Sequence, residues 1–335
     1  MALFAPNVFV MKYLASTGRL DDDTKRRLLR NLRGGYQRQL VFKHSDNSYS
    51  AFGESDATGS TFLTAFVART LNQAKDFITI DNAIINNALA WLINQQAPNG
   101  SFPEVGKVFD RELQGGAGKG TALTAYVLIT LIESDQAANF SGSIRNATQY
   151  LEREVKDALN DPYALSIVNY ALQLAGYSSD TVVATKLNSL AIIANGTKHW
   201  AKEREVETQT FGKYIWEYKL PAKDIEMTAY GLLSAVRNRD IEGGFPILAW
   251  LLTKRNQQGG FQSSQDTVVG LQAISEFAQL VTTNDRNIQV QIQTEGYKKD
   301  LVIKEENALL LQTDEVIFSI MINLIIMYLE RYYLL

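Results

Sequence analysis

The residue type most often used for covalent chemistry, cysteine, is absent from all 335 positions. That excludes a disulfide framework, a thiolate zinc site, an iron–sulfur cluster and a cysteine nucleophile. Only His44 and His199 could act as imidazoles. They lie far apart in sequence, which argues against a His-rich metal centre and most His-based acid/base schemes. Acidic residues are the remaining candidates. Asp21-Asp22-Asp23 has the composition of a metal–diphosphate site, yet three acids ahead of Lys25-Arg26-Arg27 also suit a helix N-terminus and its dipole, and this second reading is preferred. Gly118-Lys119-Gly120-Thr121 lacks the spacing of a phosphate loop, and the Gly34-Gly35 and Gly115-Gly116 pairs read as turns at helix ends. Asp110, Arg111 and Glu112 lie just before Gly115-Gly116 and, by residue type alone, read as a solvated charged loop. Four N-glycosylation sequons begin at Asn99, Asn139, Asn146 and Asn195. Chance would supply roughly one or two, so four favour an exported chain, and Asn99 and Asn195 stand beside glycine where turns are expected.

Helices must position these groups. Six prolines are few, since average usage would give roughly 17, and interior proline is costly in helices. Apolar residues recur at helical spacing over roughly 60–75, 82–96, 120–134, 144–157, 161–175, 180–194, 225–237, 244–255 and 265–281, after two earlier segments carrying Val8 and Leu14, then Leu28 and Leu32. Two connections share a pattern. Trp91-Leu92 leads through Gln95-Gln96 to Gly100-Ser101-Phe102 and then Thr121 and Thr124; Trp250-Leu251 leads through Asn256-Gln257 to Gly259-Gly260-Phe261 and then Thr267. A looser copy runs from Tyr36 through Tyr49 to Thr61 and Thr64. Helix, glycine turn, aromatic anchor and helix make a hairpin, and repeated hairpins predict an all-α fold, an α/α toroid, over residues 1–282.

From about 286 to 315 the period drops to two, as Ile288, Val290 and Ile292 alternate with glutamines and Gly296 marks a turn. This predicts the first strands of an incomplete β-rich domain. Residues 316–335 form an apolar tail, too short for a spanning helix. The tail is expected not to belong to the fold; a buried segment or a membrane-associated tail are the alternatives. A net charge of −3, with 46% hydrophobic and 21% charged residues, describes a globular chain without the basic excess that nucleic-acid binding needs.

Several stretches together resemble the thioester domain of the alpha-2-macroglobulin superfamily, which includes complement thioester proteins and insect thioester-containing proteins. They are Met1-Ala-Leu-Phe-Ala-Pro-Asn7, Gly35-Tyr36-Gln37-Arg38-Gln39-Leu40, Ser48-Tyr49-Ser50-Ala51-Phe52-Gly53, Leu63-Thr64-Ala65-Phe66-Val67 and Gly259-Gly260-Phe261-Gln262-Ser263-Ser264-Gln265-Asp266-Thr267. The resemblance implies an α/α toroid and identifies residues 286–315 with part of a CUB-type domain. Family members carry Gly-Cys-Gly-Glu-Gln-Asn, whose Cys and Gln condense to an internal thioester, directly before a Met that matches Met1. The resemblance therefore implies that this sequence starts just after the reactive centre, as a piece of a longer protein or, less expectedly, as an unreactive derivative.

Complement members place a histidine before a Gln-Glu pair near a Gly-Gly, and this histidine directs acyl transfer to hydroxyls. Matched through Gly100 and Gly115-Gly116, Asp110 stands at the histidine and Glu112 at the glutamate. By resemblance to members lacking the histidine, an intact parent is expected to acylate amines. The function implied is that of a secreted, extracellular endopeptidase inhibitor or complement-like innate-immune protein. Its partners would be target proteases or pathogen surfaces and neighbouring macroglobulin and CUB-type domains, with no nucleic acid and no membrane. No catalytic residue, metal or cofactor is expected within this chain. The alternatives are an α/α-toroid enzyme of the prenyltransferase or terpene-cyclase type, which needs acids converging on the toroid centre, and a toroid binding module.

Overall fold

The computed structural model describes residues 4–16, 18–108, 117–159, 161–177, 182–201, 208–211, 214–217, 222–256, 260–281, 288–294 and 297–303. Asp110, Glu112, Gly115-Gly116 and the expected tail 316–335 lie outside them. The chain divides into two units, residues 1–280 and 281–335.

In the first unit the helices are of two kinds. Helices α3 (Thr61–Ala74), α5 (Gly120–Ile132), α7 (Pro162–Leu174) and α9 (Ala222–Arg237) are buried around their whole circumference over most of their length. Every residue of α7 from Pro162 to Gln173, for example, is buried. By contrast, α2 (Asp22–Leu40), α4 (Asn82–Asn94), α6 (Ser141–Glu154) and α8 (Val182–Ser189) bury one stripe each. In α2 that stripe is Leu28, Leu32, Tyr36 and Gln39, spaced three and four apart. All-round burial belongs to an inner helix and a single stripe to an outer one. Helices α1 (Ala5–Ser16) and α11 (Ser264–Val281) join the inner set, and α10 (Ile241–Leu252) is outer.

Inner and outer helices alternate along the chain, so successive inner helices run in one direction. Side chains at equal depth confirm it. Tyr163 in the first turn of α7 donates to Glu226 early in α9, and Gln265 at the start of α11 reaches the same carboxylate. Packing runs from α1 to α3, α5, α7 and α9 in turn. The circuit closes because Arg69 of α3 donates to Gln272 of α11 at 3.1 Å. The result is a ring of helical hairpins.

The repeat expected from sequence has a specific bond. In each connection a buried aromatic residue donates its backbone N–H to a threonine hydroxyl on the next inner helix: Tyr49 to Thr64 at 2.9 Å, Phe102 to Thr124 at 3.1 Å and Phe261 to Thr267 at 2.9 Å. A fourth copy, Trp200 to Thr228 at 3.2 Å, has no counterpart in the sequence pattern. Three of the turns also share a backbone bond just before the aromatic residue, His44 to Ser48, Ala97 to Ser101 and Asn256 to Gly260.

Local chemistry explains where helices start. Asp21, Ser60, Asp81, Asp161 and Asp240 accept backbone N–H bonds as N-caps of α2, α3, α4, α7 and α10. Pro162 opens α7, where its missing N–H costs nothing.

The helix expected over 180–194 ends at Ser189, and a hairpin follows, β1 (Ile192–Ala194) paired antiparallel to β2 (Thr197–His199). Asn195 and Gly196 both take positive φ, 50° and 73°, as a two-residue hairpin turn requires, and Ile192 and Ile193 favour strand. A second hairpin, β3 (Thr208–Phe211) with β4 (Tyr214–Glu217), was likewise not expected from sequence. Gly34-Gly35, expected as a turn, lies inside α2. A Cβ on Gly35 would stand 2.7 Å from Phe4 Cδ2, so glycine here lets α2 pack against the entry to α1.

The second unit contains β5 (Ile288–Thr294) and β6 (Tyr297–Ile303), an antiparallel hairpin in register from Ile288 opposite Ile303 to Thr294 opposite Tyr297. No described helix is long and apolar enough to cross a membrane.

Candidate functional site

The inner helices present their N-termini at one end of the ring. The segment leading to Asp110 is fixed there through Glu104. One carboxylate oxygen, Oε1, accepts from the backbone N–H of Thr61 at 2.8 Å and of Gly106 at 3.1 Å; the other, Oε2, accepts from Phe62 N–H and Ser60 Oγ, both at 3.1 Å. Two of these donors belong to the first turn of α3, where the helix dipole also favours a negative charge. Thr61 Oγ1 donates to the Pro103 carbonyl at 2.7 Å. Gly106 lies so close to the Gly59 backbone that a side chain at 106 would collide with it. Residues 103–106 are thus held against the start of α3 a few positions before Asp110 and Glu112, which themselves lie outside the described residues. Glu104 was not singled out in the sequence; its only signal is a Pro-Glu pair directly after the Phe102 anchor.

Three further acids, Asp224, Glu226 and Asp266, are buried at this end. Glu226 is 1% exposed and accepts from the Tyr163 hydroxyl at 2.6 Å. Asp266 accepts from Ser263 N–H at 2.8 Å and Gln262 N–H at 3.2 Å, closing the first turn of α11; burial nonetheless pushes its carboxyl up to about 6. Glu226, Tyr163 and Gln265 form a buried network rather than an open site. Hydrophobic patterning cannot announce such a group, because a lone acid inside an apolar stripe resembles a surface position.

The remaining candidates do not converge. Asp21 caps α2, accepting from Asp23 and Thr24 N–H at 3.0 and 2.9 Å, and all three acids of that cluster are exposed on an outer helix. The arrangement needed for metal–diphosphate chemistry is therefore absent from this cluster. Among the described residues no group of three or more His, Asp or Glu could hold a metal ion. His44 shares a hydrogen bond with Ser50 Oγ at 2.6 Å, whereas His199 stacks on Trp250 with ring centroids 4.5 Å apart.

All four sequon asparagines are exposed, but their settings differ. Asn195 occupies the tip of the β1–β2 hairpin. Asn99 is engaged within its turn, accepting from Ser101 N–H at 3.0 Å and Ser101 Oγ at 2.8 Å. Asn139 bonds to Gln136 inside a short 3-10 turn. Asn146 lies within α6, and Thr148 of the same sequon is buried with its hydroxyl on the Ile144 carbonyl.

Comparison with known proteins bears on this end of the ring. Residues 1–277 match the model of the A-macroglobulin TED domain. The chain is 33% identical to ovostatin of Gallus gallus over 319 residues, covering 93% of this chain and 21% of that protein. It is 34% identical to thioester-containing protein 1 allele S1 of Anopheles gambiae over 304 residues, covering 90% of this chain and 21% of that protein. The chain therefore spans about a fifth of the length of these curated relatives.

Proposed function

The chain belongs to the A-macroglobulin thioester-domain family, and from that premise we propose that it is the thioester-domain portion of a secreted alpha-2-macroglobulin-like endopeptidase inhibitor or complement-like immune protein. The observation that carries this reading is the family match over residues 1–277 in a chain that has no cysteine. The ring is the family's scaffold, and an acyl donor must come from outside these residues. In this reading a cleavage elsewhere in the parent exposes the thioester, a nucleophile on the target attacks its carbonyl carbon, and the cysteine thiolate leaves. Partners are target proteases or pathogen surfaces, with macroglobulin and CUB-type domains as neighbours. Residues 1–282 are the thioester-domain part, 286–315 a partial CUB-type segment and 316–335 a tail outside both.

Asp110 and Glu112 flank the reaction centre in this proposal and tune it without forming a covalent intermediate. A carboxylate at 110 cannot become an acyl-imidazole, so amines, including lysine side chains of a captured protease, are the preferred acceptors. The Glu104 bonds to α3 support this reading, since they restrain the segment preceding Asp110. Export is supported by the exposed sequons, foremost Asn195.

The test uses the intact parent, after its transcript is read upstream of Met1 for Gly-Cys-Gly-Glu-Gln-Asn. Labelled methylamine and glycerol are offered to the protease-activated protein. Incorporation of methylamine well above glycerol is expected, and Asp110→His should move transfer toward glycerol. Equal or better transfer to glycerol by the unsubstituted protein would contradict the role given to Asp110.

A further inference from the structure

At the opposite end of the ring a cavity of about 620 Å³ opens between the C-terminal parts of α7, α9 and α11. Leu174, Leu233, Val236 and Leu280 supply its apolar wall, and Tyr170 and Gln279 add polar surface. A single acid, Glu276, lines it. Glu276 Oε1 accepts from Gln272 Nε2 at 2.8 Å, and Oε2 accepts from no described residue.

Among the described residues no lysine or arginine forms an ion pair with this carboxylate. The nearby guanidinium of Arg69 is committed to Glu133 by bonds of 2.7 and 2.9 Å and to Gln272 by a third. Lys12 of α1 lies 3.9 Å from Asp76. Burial and the Glu133 charge push Glu276 up to about 7, against weaker pulls from Gln272, Arg69 and Lys12. The last carbonyls of the inner helices also point toward this end and favour a positive guest. A cation entering the cavity would hold Glu276 ionised.

The mouth has the reverse preference. Arg237 and Arg239 line it, both exposed, and neither forms an ion pair with a described residue. Arg239 sits in the left-handed region with φ 55°, a conformation that glycine or asparagine takes far more readily. Its backbone is fixed by its N–H on the Val236 carbonyl and by the next N–H, of Asp240, on Ala235. These two bonds are those of a left-handed cap at the end of α9, which fixes Arg239 at the cavity mouth.

A half-buried acid, four aliphatic side chains and two exposed guanidiniums around one cavity complement an aliphatic cation that also carries a carboxylate. Only one oxygen of Glu276 lacks a donor among the described residues, which suits the point charge of an ammonium better than the two-pronged guanidinium. We propose that this cavity binds the C-terminal lysine of a peptide, its ammonium on Glu276 and its terminal carboxylate on Arg237 and Arg239. The site is independent of the thioester chemistry.

The test is fluorescence polarisation on the full chain, titrated into fluorescein-labelled Gly-Gly-Lys with a free carboxylate. The same peptide as its C-terminal amide, and Gly-Gly-norleucine as free acid, are the controls. Saturable binding of the first is expected, weakened about tenfold or more by either change. Glu276→Gln should abolish discrimination against norleucine but keep discrimination against the amide. The Arg237→Ala/Arg239→Ala variant should do the opposite. Circular dichroism melts of both variants establish that they are folded. No saturable binding, equal binding of the three peptides, or discrimination unchanged in the variants would overturn the proposal.

Discussion

Glu276 also affects stability. Glu133, Arg69, Lys12, Gln272 and Tyr170 surround it, from four different helices and the α5 cap, and its folded value of about 7 lies above the ordinary 4.5. A raised carboxyl contributes stability in its protonated form. That contribution is complete below about pH 4.5 and is lost as pH rises through 7. Glu276→Gln should therefore unfold at higher urea than the parent at pH 8, by ~1–2 kcal/mol after allowing for solvent reaching the cavity, with the gap closing by pH 5. Glu104 is a carboxylate with four donors. Glu104→Ala should cost ~1–3 kcal/mol, because backbone N–H groups at the start of α3 lose their acceptor. Limited proteolysis of that variant should cut first within 97–116, and unchanged cleavage would mean that Glu104 does not restrain the segment. Neither residue could be picked out of the sequence. Both are ordinary acids by composition, and what distinguishes them is which backbone or which other acid the fold brings near.

Among the elements, the inner helices and their aromatic anchors were the most legible part. Trp91 through Phe102 and Trp250 through Phe261 share spacing because both connections make the same backbone-to-threonine bond. The Trp200 copy escaped notice because a β-hairpin, not a glycine turn, precedes it. Residues 180–194 carry enough apolar positions for a helix, and only the positive φ demanded by Asn195-Gly196 turns the chain back. Thr228→Val keeps the shape of the anchor and removes its acceptor, leaving Trp200 N–H buried and unpaired. It should cost ~1–3 kcal/mol in urea unfolding. Gly231→Ala should destabilise as well, since the added methyl would meet the Trp200 ring. If the loss from Thr228→Val stays within a few tenths of a kcal/mol, the shared bond is a by-product of packing, not a support of the repeat.

For the whole molecule, a ring could be inferred from repeated hairpins, but its closing contacts could not. Arg69 and Glu133, 64 positions apart, are nearly desolvated at 5% and 18% side-chain exposure. Arg69→Met leaves Glu133 without its cation and should cost about 3–5 kcal/mol. Adding Glu133→Leu should recover much of that loss, and a double-mutant cycle by urea unfolding measures the recovery. The bond from Arg69 to Gln272 spans 203 positions and joins the second inner helix to the last. Until Gln272 is present, a growing chain can only be an open arc, whose last inner helix has one flank with no partner. Contacts of such long sequence separation are slow to form, because loop-closure entropy must be overcome before they add stability. Synthesis of this unit therefore passes through a stage in which nearly complete apolar helices wait for one another, and its yield in a cell depends on what shields that open flank.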